Sequence, residues 1–296
     1  MRSGKIKQTW GDYVLDAAVI TIIIVVFIMS VYPFYLSVVL SFNEGVDSAS
    51  GGIYFWPRRP TLDNYIQLLS DEKWAQSFLV TFARTILGTF LTVFFTAIVA
   101  YGLSHAKLIG RKFYMGMLLV AMYISGGIIP YYAVLKAFGL INNFSVYVVP
   151  GMLNIFYVLV SISFFRSIPP ELEDSAQVDG ARDLRIFAKI IVPIAKPLLA
   201  TIAIFVSVGH WNAWYDSAFF IQREELRTLA YRMMATIQRS VQTTDISQAG
   251  IVTLITYTPL SVQLAAMVAA VFPILAVYPF FQRYIIAGIT IGSVKG

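Results

Sequence analysis

The sequence predicts an all-α, polytopic membrane protein with six spanning helices and one charged cytoplasmic loop, on three observations. First, 58% of the 296 residues are hydrophobic and 13% charged, with mean hydropathy +0.72. A soluble domain carries about a quarter charged residues, so a water-solvated domain is excluded. Second, apolar residues gather into six runs near the length of about 20 residues that crosses hydrocarbon, at 14–40, 85–103, 113–135, 146–165, 198–220 and 262–286. Third, thirteen of the 22 Lys and Arg fall on the N-terminus, the 104–112 loop, the 166–197 loop and the tail. An excess of cations marks the cytoplasmic side, which places both termini and the 166–197 loop there, in one transmembrane domain over 1–296. That partition also accounts for the net charge of +6, so no nucleic-acid surface is implied.

Taken in order, Arg2, Lys5 and Lys7 precede an apolar run without a small-residue cleavage site, which reads as a retained anchor. The segment 42–73, with Ile53-Tyr-Phe-Trp-Pro57 and Pro60, reads as ordered extended structure held at the interface by an aromatic belt. Arg84, at the start of the second span, is expected to snorkel to the headgroups. Ser125-Gly-Gly-Ile-Ile-Pro130 interrupts the third span. Broken backbone persists inside a membrane only where protein or a water-filled cavity satisfies it. Gly126, Gly127 and Tyr131 are therefore candidates for a pathway lining, with a close-packed kink as the alternative. Asn142 and Asn143 turn the chain, and Asn154 puts a polar group into the fourth span.

The fifth span ends in Ser207-Val-Gly-His-Trp-Asn-Ala-Trp-Tyr-Asp216. Rings stack on sugar faces and amides bond hydroxyls, so Trp211, Asn212, Trp214 and Tyr215 form either a carbohydrate contact group or an interfacial belt. The segment 216–259 is too long and polar for a turn. It has helical content over 226–239, is rich in Ser, Thr and Gln over 240–249, and suits an extracytoplasmic partner. In the last span Pro273 and Pro279 are kink points.

The 166–197 loop holds Ile168-Pro-Pro-Glu-Leu-Glu-Asp-Ser-Ala-Gln-Val-Asp-Gly180, which reads as a short helix opened by prolines, with Glu171, Glu173 and Asp174 in the first turn, and a break at Gly180. A second helix follows, apolar at Leu184, Phe187, Ala188 and Ile191 and basic at Arg182, Arg185 and Lys189, and ends at Pro193 and Pro197. An amphipathic hairpin between spans is either a plain interfacial anchor or a surface that touches a partner in water.

No phosphate-binding loop, catalytic nucleophile set or metal-ligand set occurs, and the two histidines, His105 and His210, stand outside any hydrolase or zinc signature. Acids are missing from the middle of the spans, which disfavours a stand-alone secondary carrier or channel, the alternative function. Energy must then come from a partner.

Asp174-Ser-Ala, Gly180 and the closing Ile190-Ile-Val-Pro193 resemble the EAA loop of ABC importer permeases, with Asp174 where that family usually carries Glu. With Gly126-Gly-Ile-Ile-Pro130, Tyr278-Pro-Phe-Phe-Gln282 and Gly288-Ile-Thr-Ile-Gly-Ser-Val-Lys-Gly296, the chain is similar to the MalG-type carbohydrate permeases, in the oligosaccharide and polysaccharide branch that includes the alginate importer. The resemblance implies a non-catalytic subunit of a bacterial inner-membrane importer, with no cofactor of its own. Its partners would be a homologous second permease, two copies of an ATPase holding ATP and magnesium, and an external solute-binding protein that delivers the sugar. It further implies ATPase docking by Glu171, Glu173, Asp174, Ser175, Ala176, Asp179, Gly180, Ala181 and Arg182, and binding-protein contact through Arg223, Arg227, Arg232, Arg239 and Gln248.

Overall fold

The computed structural model describes residues 10–243 and 257–275, apart from the side chains of 237 and 239–243. The chain divides into two compact units, Met1–Ser70 with Arg239–Ala269, and Asp71–Gln238 with Ala270–Gly296. Among the described residues the regular structure is helical, and strand pairing is limited to an isolated bridge between Asn43 and Pro60.

In the first unit, α1 (Trp10–Ser41) is 32 residues long, about 48 Å at 1.5 Å per residue, which exceeds the thickness of the hydrocarbon layer. It presents nearly all its apolar side chains outward. The segment after it was expected to be extended throughout; it is helical at its two flanks, α2 (Gly45–Ala49) and α3 (Asp63–Ser70), and irregular over 51–62, where the aromatics and prolines lie. Short polar side chains start both helices. The Asn43 amide donates to Asp47 Oδ2 at 3.0 Å and Ser48 Oγ at 2.9 Å, and Thr61 Oγ1 accepts from the Asp63 N–H at 3.1 Å. Asn64 is fully buried. Its amide donates to the carbonyls of Ser41 at 2.9 Å and Asn43 at 2.8 Å, and its oxygen accepts from Ser261 Oγ at 2.7 Å. Ser261 lies in the first turn of the apolar helix Pro259–Leu275, so one amide joins three segments. Tyr54, Phe55 and Trp56 stay exposed.

The second unit is organised on α4 (Glu72–Ser104), whose first turn is capped by Asp71 accepting from the Lys73 N–H at 2.9 Å. Ser77, Thr81, Gly88, Thr92, Thr96 and Ala100 make a buried stripe of small residues, four apart except where Arg84 stands between Thr81 and Gly88. Small side chains let helices approach closely, and α7 (Ile155–Arg166) and α11 (Lys196–Asn212) pack here. By length and composition α1 and α4 are each apolar enough to cross a membrane alone.

The other segments are more broken than the apolar runs imply. The third run splits into α5 (Arg111–Tyr123) and α6 (Ile128–Ala137), with Gly127 at φ 76°. The fourth opens in a 3-10 turn (Phe144–Tyr147) and becomes α-helical only at Ile155, where Asn154 caps α7 by accepting from the Tyr157 N–H at 3.3 Å. A 75° turn leads into α8 (Glu171–Val178). The following helix ends at the prolines, as expected, stopping at Ile194 between Pro193 and Pro197. It runs from α9 (Asp183–Ile186) through a π turn (Phe187–Ile191) into α10 (Val192–Ile194), then bends by 78° into α11. Pro193 has no N–H for the Lys189 carbonyl and its ring crowds that carbonyl; the wider turn relieves both. After α11 come α12 (Tyr215–Phe220), a 3-10 turn (Glu224–Leu226) and α13 (Leu229–Thr243).

Candidate functional site

The charged loop is built as a helix held on one edge. Glu171, Glu173 and Asp174 occupy the first turn of α8, where the helix dipole favours anions. Ala176 and Ala181 pack on a core of Ala100, Tyr101, Leu103, Val158, Phe165, Ile186 and Ile191. Glu173 reaches 3.0 Å from His105 Nε2, whose Nδ1 lies 2.9 Å from the Tyr101 carbonyl. Gly180, at φ 79°, ends α8 in a paired motif: its N–H donates to the Gln177 carbonyl, and the Ala181 N–H donates to the Ala176 carbonyl, both at 2.9 Å. Only a residue free to adopt positive φ closes a helix this way, and the Ala176 and Ala181 methyls complete the motif. The rest of the surface faces outward. Glu171, Asp174, Ser175, Asp179 and Arg182 are exposed, as are Leu172, Val178 and Leu184, the last two by 88% and 77%. Three exposed aliphatic side chains among charges leave apolar surface that a partner would cover.

A second site surrounds the break between α5 and α6. A cavity of about 610 Å³ is lined by Met122, Ser125, Gly126, Gly127, Tyr131 and Tyr215, among others. Tyr131 and Tyr215 both pack against Phe220, with ring centroids 5.5 and 6.2 Å away, so aromatic rings and the non-helical main chain of 124–127 line the same cavity. Of the residues singled out as a sugar path, the structure brings Gly126, Gly127, Tyr131 and Tyr215 to this cavity. Trp214 is part-exposed beside Tyr215, 6.0 Å between ring centroids. Trp211 is elsewhere: buried edge-on against Phe78, it donates from Nε1 to the Ala270 carbonyl at 3.2 Å. The Asn212 amide turns back to the Val208 carbonyl at 3.0 Å, and Asn154 serves as a helix cap.

Arg84 does not snorkel. It is buried, with 3% exposure, and ion-pairs with Asp216. Its guanidinium also donates to the Ala213 carbonyl at 3.2 Å, approaches His210 Nδ1 at 3.4 Å and lies 4.7 Å from the Tyr147 ring centroid. Charge cancellation and a ring face hold it inside, where the headgroups would otherwise draw it out. The His210 ring rests on Gly88, where any Cβ would collide with it. These contacts escaped the sequence reading. Arg84 and Asp216 were the available hint, two opposite charges at the edges of apolar runs.

The arginines of the 216–259 segment are largely occupied. Arg227 donates to the Ser217 carbonyl at 2.7 Å and stacks 4.2 Å from the Tyr231 ring centroid, and Arg232 bonds Ser77 and the Glu224 carbonyl. Arg223 is exposed and bonds Glu225 at 2.6 Å. The Glu225 carboxylate is held below the usual range by its own backbone N–H and then by Arg223. The side chain of Arg239, and Gln248 altogether, lie outside the described residues.

No family model matches the chain. Among curated proteins, it is 32% identical over 275 residues to the polygalacturonan/rhamnogalacturonan transport system permease protein YtcP of Bacillus subtilis, covering 91% of this chain and 94% of that one. The chain belongs to the carbohydrate ABC importer permeases. It is also 32% identical over 270 residues to protein LplC of Bacillus subtilis, covering 90% of each. The fold of this permease matches a solved structure titled as a bacterial ABC transporter involved in the import of the acidic polysaccharide alginate, with TM-score 0.85, 24% identity, and 95% and 99% of the two chains covered. It is therefore an all-α, polytopic permease subunit of an ATP-driven carbohydrate importer, and not itself a catalyst.

Proposed function

We propose that this permease is the single transmembrane domain 1–296, crossing the bacterial inner membrane six times with both termini and the 166–197 loop in the cytoplasm. It pairs with a homologous permease and two ATPase copies, which bind ATP and magnesium, and takes an oligosaccharide or polysaccharide fragment from an external binding protein. A pectin-type fragment is the first substrate to test, because YtcP carries such a name. The observation carrying the coupling reading is α8 itself, an amphipathic helix fixed on the core by Glu173 and Ala176 while Leu172, Val178 and Leu184 stand exposed among charges. On closure of the ATPase dimer, α8 would be pushed and would move with the core beneath it. The cavity at Gly126, Gly127, Tyr131 and Tyr215 supplies rings for sugar faces and freed peptide groups for hydroxyls. Outside, α13 and the arginines around it face the binding protein.

The test is co-purification and ATPase assay of the assembled transporter with Gly180→Pro and Asp174→Arg. Proline cannot adopt the φ of 79° at position 180. The expected result is loss of the ATPase subunit, or of hydrolysis stimulated by sugar-loaded binding protein. Full assembly and stimulation in both variants would make the loop a plain anchor.

A further inference from the structure

Among the described residues Arg84 is the one charged side chain that is buried, and import as such does not require a buried cation beside a broken helix. We propose that Arg84 is a positioning residue of the sugar path: by clamping the break between α11 and α12 it sets the Tyr215 ring on the cavity wall. The proposal rests on that cavity being the path.

A helix that stops in apolar surroundings leaves its last carbonyls without partners, and the next helix starts with free donors and a dipole that favours an anion. The guanidinium answers both sides. It takes the carbonyl of Ala213, the residue at which α11 ends, and pairs with Asp216 in the first turn of α12. It also meets His210 in the last turn of α11 and lies over Tyr147 from the 3-10 turn, so four elements share one planar group. The rest of α12, from Ser217 on, is held separately. The Phe220 carbonyl accepts from the Asn142 N–H at 2.8 Å, and Ser217 Oγ accepts from the Thr228 N–H at 3.2 Å. Tyr215 lies at the near end, next to Asp216, so its backbone placement depends on the Arg84 attachment, while its ring also rests on Phe219 and Phe220. Because the cation is spent on Asp216, it is not offered to a sugar. A lysine could keep the ion pair but, as a point charge, could not also span to Ala213.

The natural chain has no cysteine, so single thiols report position in the assembled transporter in native membranes. Tyr215→Cys and Ser125→Cys, both on the cavity wall, are treated with a hydrophilic maleimide. Reaction of both is expected; if neither reacts, the cavity is dry and the path reading falls, taking the clamp with it. Given reaction, adding Arg84→Met or Asp216→Asn is expected to raise the Tyr215→Cys rate about fivefold as the near end of α12 opens locally, with Ser125→Cys changed less than about twofold. Arg84→Lys should be intermediate. The double variant Arg84→Met/Asp216→Asn, which leaves no unpaired buried charge, should assemble as well as the parent yet keep the fast rate. An unchanged Tyr215→Cys rate overturns the clamp, as does an equal rise at Ser125→Cys, which would mean general loosening.

Discussion

At Gly88 the absence of a side chain is the specific requirement, since a Cβ there would occupy the space of the His210 ring. Gly88→Ala is expected to lower stability by about 1–3 kcal/mol, read as a lower thermal midpoint of the detergent-solubilised transporter; an unchanged midpoint would mean that His210 swings aside freely. Asn64 is the polar counterpart. Leucine in its place would leave two buried carbonyls and the Ser261 hydroxyl short of a partner, at a cost of about 3 kcal/mol, and Asn64→Asp should cost at least as much, because a buried carboxylate oxygen would face both carbonyls with no hydrogen to give them. The small residues of α4 were legible as an apolar span, but their buried stripe has meaning only once α7 and α11 are seen to lie on it. Arg84 and Asp216 are 132 positions apart, beyond any local pattern, which is why the general tendency of arginine at a span end gave the wrong placement.

Among the elements, α8 shows how far local sequence carries. Two prolines, three acids and Gly180 specify a short helix with a fixed end, and it forms as read. Gly180→Ala keeps the space open, since nothing lies within 4 Å of an added Cβ, so its cost is the positive φ alone, about 1–2 kcal/mol. The expected outcome is an assembled transporter whose sugar-stimulated hydrolysis is partly lost, in contrast with the full loss expected for Gly180→Pro. Asn154→Ala removes the cap of α7 and should lower the thermal midpoint by an amount equivalent to about 1 kcal/mol; a larger fall would point to a further role for that amide. The 42–73 segment and Pro193 were read from composition. In the first, Asn43 and Thr61 start short helices on either side of an irregular stretch that keeps the aromatics, and in the second the prolines end the helix as read, after a π turn that composition does not announce.

For the whole molecule, composition and the charge partition made an all-α membrane protein legible at once, because hydrocarbon leaves the backbone few choices. What they could not supply was continuity. Apolar runs at 113–135 and 198–220 are each two helices with a non-helical join, since hydropathy counts side chains while the break is a property of peptide groups. The proposed orientation has a direct check in the cysteine-free background. In right-side-out vesicles Ser70→Cys should react with a membrane-impermeant thiol reagent, and Lys107→Cys should react only after the vesicles are opened; the reverse pattern would turn the topology over.

The joint at 124–127 has a bearing on how such a protein changes over time. Where a cavity owes its polar character to side chains, any one replacement can erase it. Here residues 124–127 lie outside both flanking helices and border the cavity, so part of its wall is main chain, which every amino acid except proline supplies alike. Were this cavity the sugar path proposed above, exchange of Tyr131 or Tyr215 would redirect which sugars stack while the backbone wall persists, and a lineage could shift its diet one ring at a time without passing through a sealed pore.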